Sequence, residues 1–566
     1  MSPSSSRTTS RSASDASSQP AASGAAAAAA HSSPAPEDGA ALEKRLRDDL
    51  ARYASRPHED PDLERTDGAP PDRALEKEEA RLESAGDVIW VDFEEGDTDD
   101  PFQWSTRKKW FNACMTCIFT VEVASAASTY VSGIAQMERD LGVEKHVVSI
   151  LGISLYALGF SLPPLVLAPF SEALGRKTIY VITHFLWGML FLGVGFAQNI
   201  ETVLILRFLQ GAFGSTGSTM VGGTISDLFR TAERGIPMAL FAVAGIGATG
   251  LGPAWAGWTA QYLSWRWVQW ISAAASSAFF VVFALTVSES RGSVLLARRA
   301  AKLRKQTGDP RYRARAEEER ASMAVLIKTS LTRPLWLLVS EPVVAAFSIW
   351  IAFAWGIMYA LLESIGLVTA LHDFSLGQTG LVFLTLTVAS VLGFLTNFYQ
   401  EALYRRHFPE KGPEARLYAA CAGAVLFPVG CLIYAWTSYA HVSMAGPIVG
   451  IIVLMLGVYH IYLSVFSYLA DCYLIYASSA LAAQSFARNV FAFAFPLFVT
   501  QMYHNLGYQW ASTLVALLGA VLGVVPFVLF RWGHRIRARS RFSQSLQKEE
   551  DARREKAAAL EKKGDV

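Results

Sequence analysis

From Trp110 to about residue 531 the chain alternates long apolar stretches with short polar connections. Each stretch is roughly 20 residues, the length at which an α-helix crosses the hydrocarbon core of a bilayer. They fall near 111–134, 147–170, 178–198, 202–228, 236–258, 266–287, 337–367, 378–400, 416–437, 445–473, 477–503 and 510–531. This pattern predicts an all-α integral membrane protein with twelve transmembrane helices. A polar segment at 288–334, carrying the basic run Ala297-Arg-Arg-Ala-Ala-Lys-Leu-Arg-Lys305, divides them into two six-helix halves, as homologous bundles joined by a loop would require. The expected organisation is a disordered tail at 1–100, a first half at 101–287, the central loop at 288–334, a second half at 335–532 and a charged C-terminal tail at 533–566.

Composition sharpens this reading. Of 566 residues 52% are hydrophobic and 17% charged, against about 25% charged in a soluble protein, which argues against a soluble enzyme. With a net charge of +1 the chain has no field suited to collecting phosphates, so no nucleic-acid partner is expected. The five cysteines include a lone C-x-x-C at Cys114 and Cys117 with no second pair to complete a metal site, and neither metal nor cofactor is expected. Residues 1–100 are rich in Ser, Ala, Pro, Glu and Arg, cannot bury enough apolar surface to order themselves, and lack the apolar core of a secretory signal. Sixteen Lys and Arg fall on one side of the predicted spans and only Arg139, Lys145 and Arg266 on the other. Basic loops stay in the cytosol, so both termini and the central loop are expected there, the loop lying against lipid headgroups.

Motifs then narrow the class. No phosphate-binding G-x-x-x-x-G-K-S/T sequence occurs, which excludes ATP hydrolysis by that device. Between the second and third spans runs Ala168-Pro-Phe-Ser-Glu172-Ala-Leu-Gly175-Arg176-Lys177. It resembles the G-x-L-x-D/E-R-x-G-R-K/R loop of the major facilitator superfamily, with Ala168 and Ala173 replacing a glycine and an arginine. Glycine permits a tight turn, and the acid and bases can pair with helix ends in one conformation and release them in another. The fourth span's Arg207, Gly211 and Gly214 resemble the R-x-x-x-G motif. The fifth span's Gly250-Leu-Gly252-Pro253-Ala-Trp-Ala-Gly257 resembles the antiporter motif, with Ala239, Ala248 and Ala256 at glycine positions. With Asp100-Pro-Phe-Gln-Trp104, Trp265-Arg-Trp267, Pro413-Glu-Ala-Arg416 and Gln484-Ser-Phe-Ala-Arg488-Asn489, the chain is similar to the fungal twelve-helix drug:proton antiporter family from about 100 to 545. The resemblance implies a major facilitator fold, and the motif residues Glu172, Gly175, Arg176, Lys177, Asp227, Gly252 and Pro253 are expected to act as conformational switches. Pro163, where the family has glycine, predicts a stiffer second helix.

Ionisable groups inside a membrane cost roughly 2.5–3.5 kcal/mol each on insertion scales, so function is their default explanation. Glu122, Ser125, Thr129 and Ser132 share a helical face that is expected to line a wet cavity, with Glu122 as the proton-coupling acid near mid-membrane. Trp355, Tyr359 and Glu363 step along the seventh helix in a pattern suited to a cationic or amphipathic solute. His460, Ser464, Ser467 and Asp471 form a candidate proton route in the tenth. Arg207 and Arg488 are placed to pair with a carboxylate or a substrate anion.

The combined expectation is a proton-coupled exporter of small organic molecules, whether drugs, polyamines or secondary metabolites including amphipathic glycolipids. Its partners would be substrate, protons and lipid, and it would work as a monomer in the plasma membrane or, alternatively, the vacuolar membrane. Uptake is the competing direction, and a non-transporting membrane sensor a second class. A membrane enzyme is disfavoured by the absence of H-E-x-x-H, H-x-x-x-x-D and G-x-S-x-G sequences.

Overall fold

Helices that are apolar on every face cannot pack as a soluble protein, and the computed structural model shows what this chain does with them. It describes residues 88–538, except 231–232, 319–322 and 474–475. The tail up to residue 87 and the C-terminal segment from 539 lie outside the described residues. The first membrane helix runs as α1 (Thr106–Thr129), a 3-10 turn (Tyr130–Gly133) and α2 (Ile134–Leu141). Next come α3 (His146–Gly159), α4 (Pro163–Leu174), α5 (Arg176–Gly195), α6 (Ile200–Gly214), α7 (Thr216–Leu228), α8 (Gly235–Tyr262) and α9 (Trp265–Thr286). The connecting segment holds α10 (Gly292–Thr307), α11 (Arg315–Glu318) and α12 (Met323–Ser340). Beyond it lie α13 (Pro342–Ala370), α14 (Leu376–Val382), α15 (Leu384–Lys411), α16 (Leu417–Thr437), α17 (Ala445–Tyr473), α18 (Ala477–Ala494), α19 (Pro496–Leu506), α20 (Tyr508–Leu522) and α21 (Val524–Ala538).

Among the described residues nine helical stretches are long and apolar enough to cross a membrane, one of them the 62-residue run Leu376–Thr437. Large apolar side chains such as Ile182, Ile205, Leu285 and Val521 are exposed on their outer faces, while Arg207, Gln210 and Gln484 are buried inside. That inversion suits a bilayer and not water. The predicted span at 337–367 begins five residues early: Pro342 starts α13, and residues 337–340 belong to α12.

Prolines set the internal breaks. Pro163 and Pro164 have no N–H to give the carbonyls of Gly159 and Phe160, four residues earlier. The second span therefore breaks into α3 and α4. The expected stiffening at Pro163 is thus an interruption, which frees the Phe160 carbonyl for a partner on another helix. Close approach between helices depends on absent side chains: a Cβ on Gly211 would lie 2.1 Å from the Tyr156 carbonyl, and one on Gly380 would lie 2.2 Å from that of Pro253. The second contact belongs to a seam in which α8 packs along α14 and α15.

Part of the expected tail at 1–100 is ordered. Ile89–Trp90 pairs in parallel with Tyr312–Arg313 as a two-stranded sheet, β1 and β2, and among the described residues the other elements are helical. Val91 packs on Ala300 and Ala314. Asp97 binds Arg299, and Gln103 donates to the Glu94 carbonyl and the Asp100 carboxylate. Pairing with the central segment explains why this stretch orders without an apolar run of its own. The Asp99 N–H and the Arg299 guanidinium hold the Asp97 carboxyl below the usual carboxylate range, so this link is present at neutral pH and is lost as pH falls through the lowered value. Deleting residues 1–85 leaves the β1–β2 pairing intact and should change transport per correctly localised molecule less than two-fold. Extending the deletion through 100 removes Val91 and Asp97 and should expose α10 to limited proteolysis.

Candidate functional site

The breaks and the seam surround a central cavity that stays partly open. Its wall draws on α1 (Thr120, Val123, Ala124, Ala127), the α3–α4 break (Phe160), α7 (Ser218) and α8 (Phe241, Gly245, Ile246, Thr249). From the bundle expected at 335–532 come Trp355, Met358 and Tyr359 of α13, Tyr462 of α17, and Arg488 and Asn489 of α18. An apolar lining with few convergent polar groups is that of a small-molecule site. Asn489 Nδ2 donates to the freed Phe160 carbonyl at 2.8 Å and ties the two bundles at the cavity wall.

Arg488 is buried against this cavity. Its guanidinium lies 4.4 Å over the Trp355 ring and 5.2 Å from that of Tyr462, which themselves stack at 5.4 Å. Its one hydrogen bond is a 3.4 Å contact to Ser485 Oγ, and Nε has no partner among the described residues. Cation–π contact supplies about 0.5–2 kcal/mol, less than the several kcal/mol that isolating an ion costs.

Several expected cavity residues lie elsewhere. Glu363, one turn beyond Tyr359 and two beyond Trp355, is buried in the C-terminal part of α13, where its carboxylate is 3.6 Å from His146 Nε2; His146 Nδ1 is 2.6 Å from Glu138. The aromatic-plus-carboxylate pocket expected of Trp355, Tyr359 and Glu363 therefore does not form, because Glu363 serves an ion cluster between α2, α3 and α13. Glu122 is absent from the cavity wall, as are Ser125 and Thr129. The Glu122 carboxylate is 3.2 Å from His184 Nε2, which lies 3.3 Å from Ser276 Oγ, so this group sits between α1, α5 and α9. His184 stacks on Phe119 at 4.2 Å and is ringed by Trp187, Phe279, Phe280 and Phe283. Ser125 donates to the Ala248 carbonyl, and a Cβ on Gly252 would lie 2.5 Å from the Ser125 carbonyl and 3.1 Å from Thr129. Ser125 and Thr129 thus pack against α8, while Glu122, Ser125 and Ser132 each remain partly exposed.

The other polar positions also resolve differently. Arg207 is fully buried between the Tyr130 and Tyr156 rings and donates to the Gly152 and Ala126 carbonyls and to Gln210. It joins three helices and holds no carboxylate. His460 is bound to Thr396 of α15, whereas Asp471 is paired with Arg416 at 3.0 Å and accepts from Tyr404. The expected proton route from His460 through Ser464 and Ser467 to Asp471 therefore ends in a closed ion pair.

Around the α4–α5 turn five of the motif residues, Glu172, Gly175, Arg176, Lys177 and Asp227, lie close together, while Gly252 and Pro253 sit apart in α8. Gly175 has φ 104°, and a Cβ there would lie 2.3 Å from a Glu289 oxygen, so only glycine fits. Glu289 accepts the Arg176 and Lys177 N–H groups at 2.8 and 3.2 Å, a carboxylate on the start of α5 where the helix dipole favours it. The buried Arg176 side chain pairs with Asp227 at 3.0 Å and donates to Ser171, and Arg291 approaches the same aspartate at 3.3 Å. Glu172 is 40% exposed and 3.9 Å away, a weaker partner than its place in the motif implies. In the second bundle Arg416 pairs with Glu401 and Asp471, and Glu414 binds Arg537. At this end the Glu401 carboxylate presses on Gly235, where a Cβ would sit 3.1 Å from it, and Tyr459 donates to the Ala239 carbonyl across the bundles.

A polytopic helical protein with an interior cavity shared by two bundles, and breakable polar contacts towards each end, is a membrane carrier. The sequence profile of the Major Facilitator Superfamily matches residues 115–496, and the chain belongs to that family. It is 34% identical over 478 residues to efflux pump bik6 of Gibberella fujikuroi, spanning 83% of this chain and 97% of that one. It is also 34% identical over 467 residues to the multidrug transporter mdrA of Aspergillus fumigatus, spanning 81% and 76%. The fold is similar to the partially occluded inward-open xylose transporter XylE of E. coli, with a TM-score of 0.54 and 14% identity over 75% of this chain and 99% of that one.

Sequence reasoning missed His184, Glu289 and His146. Glu289 lies just beyond a predicted span, and no spacing rule links it to a loop more than a hundred residues earlier. His184 belongs to no motif, and nothing in its local spacing links it to Glu122 on another helix.

Proposed function

We propose that the chain is a proton-coupled exporter of small organic molecules, drugs or secondary metabolites, with twelve spans in two six-helix halves that rock about the central cavity. The observation that carries this reading is the cavity itself. Residues of both bundles line it, and contacts between the bundles lie towards both ends, so a solute enters or leaves when one bundle moves against the other. The relatives described as an efflux pump and a multidrug transporter support the export direction. By the basic-loop asymmetry both termini are cytosolic, and the membrane is the plasma membrane or the vacuolar membrane; a monomer contains the whole cavity. Deleting the gene and comparing metabolites inside and outside the cell tests export. Export requires a compound that rises inside and falls in the medium, whereas uptake gives the reverse.

Glu122 remains the proposed coupling acid, with His184 as its partner. Because the pair lies off the cavity wall, protonation acts by biasing how α1 packs on α5 and α9, and does not compete with substrate for one site. Glu122→Gln keeps the shape and fixes the charge at neutral. The variant should exchange substrate down its gradient at a rate within three-fold of wild type and lose at least ten-fold of the accumulation driven by an imposed pH difference. Undiminished pH-driven accumulation moves the coupling to another group.

A further inference from the structure

Every charged group near the cavity has a sign, and the signs do not balance. Arg488 is more than nine-tenths buried, lines the cavity and has an unpartnered Nε. Among the described residues no carboxylate pairs with it, and the wall contains no Asp or Glu at all. The two acids that would have made the site receptive to cations are engaged elsewhere, Glu363 by His146 and Glu122 by His184. The aromatic faces are also taken: the Trp355 ring that would hold a substrate cation already carries the guanidinium of Arg488 at 4.4 Å. A second cation entering this space meets a fixed like charge in a poorly screened environment, whereas a carboxylate completes an ion pair left half-made.

We infer that the cavity selects organic anions, specifically amphipathic aromatic acids whose carboxylate binds Arg488 while the ring lies among the aromatic and apolar side chains of the wall. The guanidinium offers its planar fork to the two carboxylate oxygens. Phe160, Phe241, Tyr359 and Met358 supply the apolar surface on the other sides. This assignment rests on the exporter reading and narrows its substrates away from polyamines and other organic cations.

The test uses the full-length protein, purified and reconstituted in neutral phosphatidylcholine nanodiscs, and three probes of one shape: 1-naphthaleneacetate, its neutral amide 1-naphthaleneacetamide, and the cation 1-naphthylmethylammonium. Calorimetric titration at neutral pH should show the acid bound at least ten-fold more tightly than either of the others. Arg488→Gln should bring the acid down to the affinity of the amide while moving the amide less than two-fold, and Arg488→Lys should keep part of the preference. Wild-type selectivity alone decides the matter if the variants do not fold. A cation bound as tightly as the acid, a preference that survives Arg488→Gln, or no binding of any probe by folded protein overturns the assignment. Counterflow of the same probes in vesicles separates this from the exporter reading: anion-selective binding without flux defeats transport and leaves the anion site standing, while flux that favours the cation does the opposite.

Discussion

Asp227→Asn should slow substrate turnover at least ten-fold while changing substrate affinity less than three-fold. Asp227 is the shared counter-ion of Arg176 and Arg291, at 3.0 and 3.3 Å, and Arg176 is buried. Removing one partner of a buried pair costs about 3–5 kcal/mol because the charge left behind stays unpaired. That cost falls only on the conformation in which the pair is made, so the equilibrium between states shifts by two orders of magnitude or more and the cycle stalls on one side. The cavity is lined by none of these residues, which is why affinity is spared. Glu172→Gln, by contrast, should alter turnover less than two-fold, since Glu172 is 40% exposed and 3.9 Å from Arg176. Combining Asp227→Asn with Arg176→Gln should recover part of the lost rate, a coupling that rate measurements on the double-mutant cycle would reveal.

Gly380→Val is the second large effect. A Cβ at Gly380 would stand 2.2 Å from the Pro253 carbonyl, and backbone cannot retreat from it as a flexible side chain could. The antiporter-like segment is built for this contact: Gly250 and Gly257 meet the Phe383 and Leu376 carbonyls at similarly short range, and Gly252 meets Ser125. With valine the seam between α8 and α14 cannot close as seen here, and the protein should populate the conformation in which these helices separate. Spin labels placed on the two helices should report a distance distribution shifted to longer values, with transport reduced at least ten-fold. An unchanged distribution with normal transport would show that the seam has slack.

Much of the membrane architecture was legible because it depends on composition averaged over roughly 20 residues, a quantity that single substitutions hardly disturb. Motif positions were legible where chemistry is local: Gly175 needs its positive φ whatever surrounds it, and Arg176 needs an acid. What failed was the inference from a shared helical face to a shared environment. Glu122, Ser125 and Thr129 do lie along one side of α1, yet that side meets α5, α8 and α9, and periodicity cannot say whether a face meets water or another helix. Glu363 follows Tyr359 by one turn, about 6 Å along the axis, which suffices to carry it out of the cavity and onto His146. The tail boundary failed for a related reason, since residues 89–91 order by pairing with a segment more than two hundred positions later.

Anion selectivity, if coupled to protons, has an energetic corollary. Moving an anion outward and a proton inward shifts charge in the same direction, so an inside-negative potential, worth about 2.3 kcal/mol per charge per 100 mV, assists both movements. Arg488 would then give the carrier access to the electrical as well as the chemical part of the gradient.

Proton-coupled exchange is the central claim, and vesicles holding the purified full-length protein and a trapped pH dye test it most directly. The compound retained by cells lacking the gene is added outside, with protein-free vesicles as the control. Exchange predicts that the lumen becomes alkaline as substrate enters and protons leave, and that Glu122→Gln abolishes the change while substrate still enters. A lumen that acidifies, or stays constant while wild-type protein carries substrate inward, would contradict the account.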